Sequence, residues 1–201
     1  MILSGAYAGV GSRKTPRHVI QLMEQVAGKL AADGYVLRSG GAGGADTAFE
    51  QGCDRVGGAK EIYLPWRGFQ RRAASNDPAT HRIVFATPMP GAYELAQQHH
   101  PAWGACTSGA KALHARNSHQ VLGITLDAPV AFVLCWTPGA SGSGGTGQAI
   151  RLARSLGIPV FDLCDPNVAA MWRHYTQASG ARVPTGPASP EGNDLFLTRP
   201  G

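Results

Sequence analysis

Hydrophobic and polar positions follow two alternating periods along the chain. Short apolar runs that close in glycine-rich loops give way to stretches whose apolar residues recur three to four apart, the pattern of strands and helices alternating in a parallel sheet. The first unit shows it most clearly. Residues 6–10 read as a short strand and Gly9-Val10-Gly11-Ser12-Arg13 as the turn after it. Thr15 and Pro16 are placed to act as an N-cap and a first-turn proline. Val19, Met23, Val26 and Leu30 then make one helical stripe, and Gly34 supplies the stop.

Residues 35–39 form the second expected strand, with a glycine loop at 40–44, and Asp46 is placed to cap a helix carrying Phe49, Cys53 and Val56 on one face. Residues 61–64 are a third strand, closed by Pro65-Trp66. The stretch 67–103 is polar and proline-rich with a weak helix at 93–99, so an insertion or lid near the strand ends is expected. Residues 107–123 look helical. Residues 130–136 are the most hydrophobic run, which predicts a central strand buried on both faces. A loop at 137–147 opens a helix at 148–156, followed by a strand at 158–163 and a helix at 167–178. The expectation is one α/β domain over 1–178, a three-layer αβα stack on a mostly parallel sheet. Residues 179–201, with four prolines and four glycines, are expected to be a flexible tail.

Composition narrows the classes. A chain of 201 residues suits one domain with a sizeable core, and 43% hydrophobic against 15% charged residues with 27 glycines excludes collagen-like, coiled-coil and wholly disordered chains. The net charge of +5 is carried mainly by arginine and biases the surface toward anions. No run of like charge exceeds Arg71-Arg72, which argues against a basic tail gripping duplex DNA. Cys53, Cys106, Cys135 and Cys164 lack CxxC spacing and are expected to be reduced, buried thiols in a cytoplasmic protein. No apolar stretch approaches the roughly 20 residues of a membrane span, and the first residues lack a basic leader, so neither membrane insertion nor export is expected.

Candidate chemistry gathers in three glycine loops, 9–13, 40–44 and 142–147, each between an expected strand and helix. In a parallel sheet all three emerge at the carboxyl edge, where doubly wound folds bind ligands. Glycine lets the backbone approach a phosphate, and the helix that follows presents unpaired amides and a favourable dipole. Ser12, Arg13, Arg38, Ser143 and Thr146 lie in or beside these loops. Each glycine serves equally well as a purely steric element of a tight turn. Arg13 reads as a phosphate fork or a surface ion pair, Asp46 as an N-cap or a hydrogen-bonding partner of a ribose or base, and Arg116-Asn117 as a solvated pair at a helix kink. His99, His100, Cys106 and His114 raise zinc, but their intervals fit no standard site and Pro101 interrupts them, so no metal is expected. No GxSxG, HExxH or GxxxxGK[ST] motif is present.

The ordered set Gly11-Ser12-Arg13, then Arg38 to Gly52 (RSGGAGGADTAFEQG), then Ala115-Arg116-Asn117, then Ser141 to Ala153 (SGSGGTGQAIRLA) resembles the SLOG superfamily of Rossmann-like proteins. The resemblance, over about residues 5–163, is to the Smf/DprA DNA-processing proteins and, about equally, to the YspA/YpsA-like nucleotide-binding group. It implies a Rossmann-like fold and places the family's phosphate-contacting pair on Ser12 and Arg13. The second loop falls on Ser39, Gly40, Gly41, Gly44 and Asp46, the Arg-Asn pair on Arg116 and Asn117, and the last phosphate loop on Gly144, Gly145 and Thr146. Two departures matter. The third position of the family's RNR motif is Ser118, which removes a cation used on single-stranded DNA. The position of the catalytic glutamate of Lonely-Guy phosphoribohydrolases is Arg151, which leaves that hydrolysis without its carboxylate.

Three readings follow. The leading one is a binding protein for a nucleotide or nucleotide-derived small molecule, with selectivity from the 67–103 segment and a base stacked on Trp66. The second is a DprA-like binder of single-stranded DNA. The third is a nucleotide-cleaving enzyme using Asp46 or Glu50, the acids nearest a glycine loop. A nucleotide-type ligand is the only cofactor-like molecule expected, and self-association is left open.

Overall fold

The computed structural model describes residues 5–77, 79–142, 144–178 and 182–184. The strands are β1 (Gly5–Gly9), β2 (Tyr35–Ser39), β3 (Lys60–Tyr63), β4 (Ser75–Asp77), β5 (Arg82–Phe85), β6 (Phe132–Cys135) and β7 (Val160–Asp162); β1, β2 and β6 are apolar runs largely buried, whereas the short β4 is polar and exposed. The helices are α1 (Arg17–Ala32), α2 (Ala45–Arg55), α3 (Pro90–Gln98), α4 (Ser108–Leu122), α5 (Gly144–Ser155) and α6 (Pro166–Gln177). Among the described residues the strands form one sheet in the order β4-β5-β3-β2-β1-β6-β7, and every pairing except the β4–β5 hairpin is parallel. The chain builds outward from β1 through β2 and β3 to β5, then crosses back to place β6 on the other flank of β1. That reversal makes the carboxyl ends of β1 and β6 the switch point of the sheet.

Alternation along the strands feeds two cores. Tyr7, Leu37, Phe132, Leu134 and Phe161 point to the face covered by α1, α2 and α6, where Trp172 is fully buried against Phe132 and Phe161. Ala8, Val10, Val133 and Cys135 point to the opposite face, under Val121 of α4 and Ile150 of α5. This is the three-layer arrangement that near-continuous apolar parallel strands require.

Several local expectations are corrected. Thr15 does not cap α1. Its hydroxyl donates back to the Ser12 carbonyl at 2.7 Å, and Pro16 takes the cap position. Gly44 stands at the N-cap of α2, and Asp46 lies inside the first turn. Residues 130–136 yield an interior strand one place from the β7 edge, with β2 at the centre. The 67–103 segment supplies β4, β5 and α3, because the short run Arg82–Phe85 pairs with β3 and α3 packs on α4. Cys53 and Cys135 are buried, whereas Cys106 and Cys164 are half-exposed free thiols. Of the expected tail, Val183 packs against the first core, and all but residues 182–184 lies outside the described residues. Among the described residues no helix is long and apolar enough to cross a membrane.

Candidate functional site

The loops after β1 and β6 meet over the switch point and line an open cavity of about 410 Å³, within the few hundred Å³ usual for small-ligand sites. Its wall includes Gly11, Ser12, Arg13 and Lys14 from the β1 loop, Ala42 and Asp46 from the β2 loop and α2, and Thr137, Gly144, Gly145 and Thr146 from the β6 loop and α5. The floor comes from α4. Leu113, Arg116, Asn117 and Gln120 are spaced i, i+3, i+4 and i+7, which puts them on one helical face, and all four line the cavity.

The β6 loop is fastened from below. Asp162, at the end of β7, accepts from the Thr137 amide (3.1 Å) and from the Thr137 hydroxyl, which in turn accepts from the Gly142 amide at 3.1 Å. Asn117 donates from Nδ2 to the Gly145 carbonyl at 2.8 Å, so α4 holds the first turn of α5. A Cβ added at Gly144 or Gly145 would meet nothing within 4 Å, which leaves this backbone open toward the cavity.

The charged centre is buried. Arg116 and Asp46 have side chains 7% and 5% exposed and face each other with Nη1 to Oδ2 at 3.3 Å, and the same Oδ2 accepts from the Ala42 amide at 3.2 Å. This spacing exceeds the 2.7–2.9 Å typical of a charge-assisted bond. Burial pushes the Asp46 carboxyl up to about 6; Arg116 pulls it down and Glu50 adds to the rise. Arg116 Nε and Gln120 Nε2 are buried donors with no hydrogen-bond partner among the described residues. Buried donors without acceptors are costly, and the two side chains that carry them both line the cavity.

The structure sorts the sequence candidates by what each touches. Gly11, Ser12, Arg13, Asp46, Arg116, Asn117, Gly144, Gly145 and Thr146 line the cavity. Ser143 lies outside the described residues. Arg38 is turned away, donating to Glu61 (2.7 Å) and to the Ala128 carbonyl (2.6 Å). Ser39 is fully buried and donates to Glu50, whose other oxygen is held by Arg72 at 2.5 Å. Gly9 faces the core, where a Cβ would lie 2.7 Å from Phe49 Cγ. Gly41 backs onto Leu64 and Ile62. Gly40 gives way to the Arg116 guanidinium, which a Cβ at 40 would overlap. Gly44 combines a φ of +78° with close approach: a Cβ there would sit 2.7 Å from the Ser12 carbonyl oxygen and from Arg13 Cα. Trp66 packs edge-on against Phe69 at 5.1 Å and does not line the cavity.

Ser118, at the departed position of the RNR motif, donates to the Ala92 carbonyl and accepts from Gln148 Nε2, both at 3.3 Å, between α3 and α5. Arg151 donates to the His99 carbonyl at 2.6 Å. Sequence reasoning missed Thr137, Asp162 and Gln120. The helical spacing from Leu113 through Arg116 marks Gln120, whereas nothing local to Asp162 marks its partnership with a loop 25 residues away. The fold brings together three of the residues that the sequence spacing set apart: His100, Cys106 and His114 have their ligand atoms within 4.8 Å of one another, while His99 Nε2 pairs with Ser155 Oγ at 2.9 Å.

A parallel sheet with helices on both faces, a strand-order reversal and loops gathered over it define a Rossmann-like α/β domain. Solved structures similar to it include the molybdenum cofactor carrier protein of Chlamydomonas reinhardtii, at 14% identity over 85% of this chain and 83% of that one, TM-score 0.50. DNA processing protein A from Helicobacter pylori matches at 16% identity over 86% and 80% of the two chains, TM-score 0.52. DNA processing protein A from Streptococcus pneumoniae matches at 17% over 92% of this chain and 59% of its own length, TM-score 0.50. No protein-family model and no curated protein matches the sequence. At these identities the likeness establishes the fold alone, a Rossmann-like α/β domain.

Proposed function

We propose that the chain binds a nucleotide or nucleotide-derived phosphorylated small molecule in the cavity over β1 and β6. One observation carries the reading: the side chains of Arg116 and Gln120, each with a buried donor nitrogen unpartnered among the described residues, line a cavity that Arg13, Lys14 and the open backbone of Gly144 and Gly145 also line. In this arrangement phosphate oxygens take the first-turn amides of α5 and the Arg13 fork. Acceptors on the ribose or base take Arg116 and Gln120, which relieves their desolvation cost. Asp46 then acts as the counter-ion that holds Arg116, and as a partner for a ribose hydroxyl.

Related folds serve both kinds of partner: one similar protein carries the molybdenum cofactor and another binds single-stranded DNA. The size of the cavity, about 410 Å³, favours the small ligand here, as does Ser118 buried between two helices, where the DNA-processing motif has a cation. Calorimetry with mononucleotides, dinucleotides, inorganic phosphate and a 20-mer single strand tests the assignment. A nucleotide is expected to saturate one site, with binding weakened at least about tenfold in Arg116→Ala, as expected for a lost charged hydrogen bond of about 1.5–3 kcal/mol. Absence of saturable nucleotide binding by the folded protein refutes the proposal. A 20-mer that binds far more tightly than any mononucleotide, with a steep salt dependence, transfers the assignment to single-stranded DNA.

A further inference from the structure

Outside the ligand cavity, the connection from α3 to α4 folds back on itself. A short helical turn at Trp103–Ala105 reverses the chain, and Thr107 caps α4 by accepting from the Ala110 amide at 3.2 Å. The reversal sets His100 and Cys106 side by side against His114, near the start of α4. Cys106 Sγ lies 3.8 Å from each ring nitrogen of His100, and the His100 and His114 rings are 4.3 Å apart at their centroids. The one other polar contact of Cys106 Sγ among the described residues is a long one, 3.6 Å, to the Ala102 carbonyl. His114 is buried, and its Nδ1 has no hydrogen-bond partner among the described residues.

We propose that His100, Cys106 and His114 bind a single zinc ion, with a fourth coordination position open to solvent. A tetrahedral zinc site with bonds of about 2.3 Å to sulfur and 2.0–2.1 Å to nitrogen needs its donors about 3.4–3.6 Å apart. The donors here are within 4.8 Å of one another, so small side-chain rotations close the difference. One thiolate and two imidazoles form a borderline-soft set that suits zinc and offers no oxygen to calcium or magnesium. The metal also accounts for two otherwise unexplained features: a buried imidazole nitrogen without a partner, and two imidazoles packed together with no hydrogen bond between them. By tying the 100–106 turn to α4 the ion fixes the helix that carries Arg116 and Asn117, although the site stands independently of what the cavity binds.

The test uses the full chain, freed of metal by a chelator and titrated with Zn(II) in competition with a chromophoric chelator, then with Co(II) as a spectroscopic probe. The expected result is one equivalent of zinc per chain, a higher Tm on zinc addition, and a thiolate-to-cobalt charge-transfer band with tetrahedral visible bands. Cys106→Ser and His100→Ala, at half-buried positions where folding is not at stake, are expected to weaken zinc binding at least about tenfold, the scale seen when even an indirect partner of a metal ligand is removed. Cys164→Ser is expected to leave it unchanged. Failure of the folded wild-type chain to bind stoichiometric zinc, a cobalt complex without the thiolate band, or undiminished binding in Cys106→Ser overturns the proposal.

Discussion

Gly40→Ala probes the link between the second glycine loop and the charged floor of the cavity. The three heavy atoms nearest an added Cβ all belong to Arg116: Nη1 and Cζ would be overlapped, and Nε would lie 2.9 Å away. The methyl group therefore evicts a guanidinium that is 7% exposed and paired with Asp46. Breaking a buried ion pair costs about 3–5 kcal/mol. Protonation limits the loss, because the abandoned Asp46 already titrates near 6, and the net expectation is a destabilisation of about 2–3 kcal/mol at pH 7. The control is the same substitution in an Arg116→Ala background, where the obstructing atoms are gone. There Gly40→Ala should cost less than about 0.5 kcal/mol, or stabilise slightly by restricting the unfolded chain. Urea unfolding of the four proteins, with m-values checked for constancy, gives the coupling directly. Equal costs in the two backgrounds, or no cost in the wild type, would refute the claim that Gly40 is a glycine because of Arg116.

Asp46→Asn should change the pH dependence of stability. The folded carboxyl titrates near 6 against an ordinary 3.8, so the folded state holds a proton that the unfolded state has released between those values. The Asp46 contribution to stability is present in full below about pH 4 and declines as pH rises through 6, by roughly 3 kcal/mol in total. The groups facing it are Arg116, Glu50 and, beyond Arg116, Arg13. A difference between wild type and Asp46→Asn that does not vary from pH 4 to 7 contradicts this. Asp162→Ala removes the acceptor for the Thr137 amide and hydroxyl and for the Cys164 amide; it should cost about 2–3 kcal/mol in thermal unfolding and weaken nucleotide binding through the loosened loop. Trp66→Ala should leave nucleotide affinity within about twofold, since the indole does not line the cavity; calorimetry showing a larger loss would bring Trp66 back as a base-stacking residue.

The parts of the fold legible in the sequence are those where local and tertiary preferences agree. The stripe Val19-Met23-Val26-Leu30 is both a helical period and the face of α1 buried in the first core, so reading one gives the other. The run 130–136 is apolar because β6 is covered on both faces. Where the two preferences part, the reading goes astray. Arg82–Phe85 is too short and too polar in its neighbourhood to declare itself, and it is a strand because β3 offers an unpaired edge on that side. Asp46 is an attractive cap by residue type, but Gly44 must take the cap position because Ser12 and Arg13 leave no room for a side chain there. The carboxylate is thereby carried into the first turn of α2, beside Arg116.

The same distinction explains why the glycines mark loops that line the cavity and yet are a poor guide to its contacts. A glycine in sequence reports only that a Cβ is not tolerated or not needed; the neighbour it makes room for lies elsewhere in the chain. For Gly9 that neighbour is Phe49, for Gly11 it is Ala45, for Gly40 it is Arg116 and for Gly44 it is the β1 loop. Gly144 and Gly145 have open space before them, as does Gly43 in the second loop, while Gly147 further along the third is packed against the Gly142 carbonyl. The first two loops are therefore glycine-rich largely so that they can pack on one another and on a buried guanidinium, and the third so that backbone amides stay accessible. An alanine scan of the glycines should divide along this line. Gly9→Ala and Gly11→Ala should lower stability by about 1–3 kcal/mol through overpacking. Gly145→Ala, with no positive φ and nothing within 4 Å, should leave stability within about 0.5 kcal/mol, and should lower nucleotide affinity where the new methyl group meets the ligand. A Gly145→Ala variant that loses as much stability as Gly9→Ala would mean that the third loop is packed like the others, and that the backbone assigned here to phosphate is already spoken for by the protein itself.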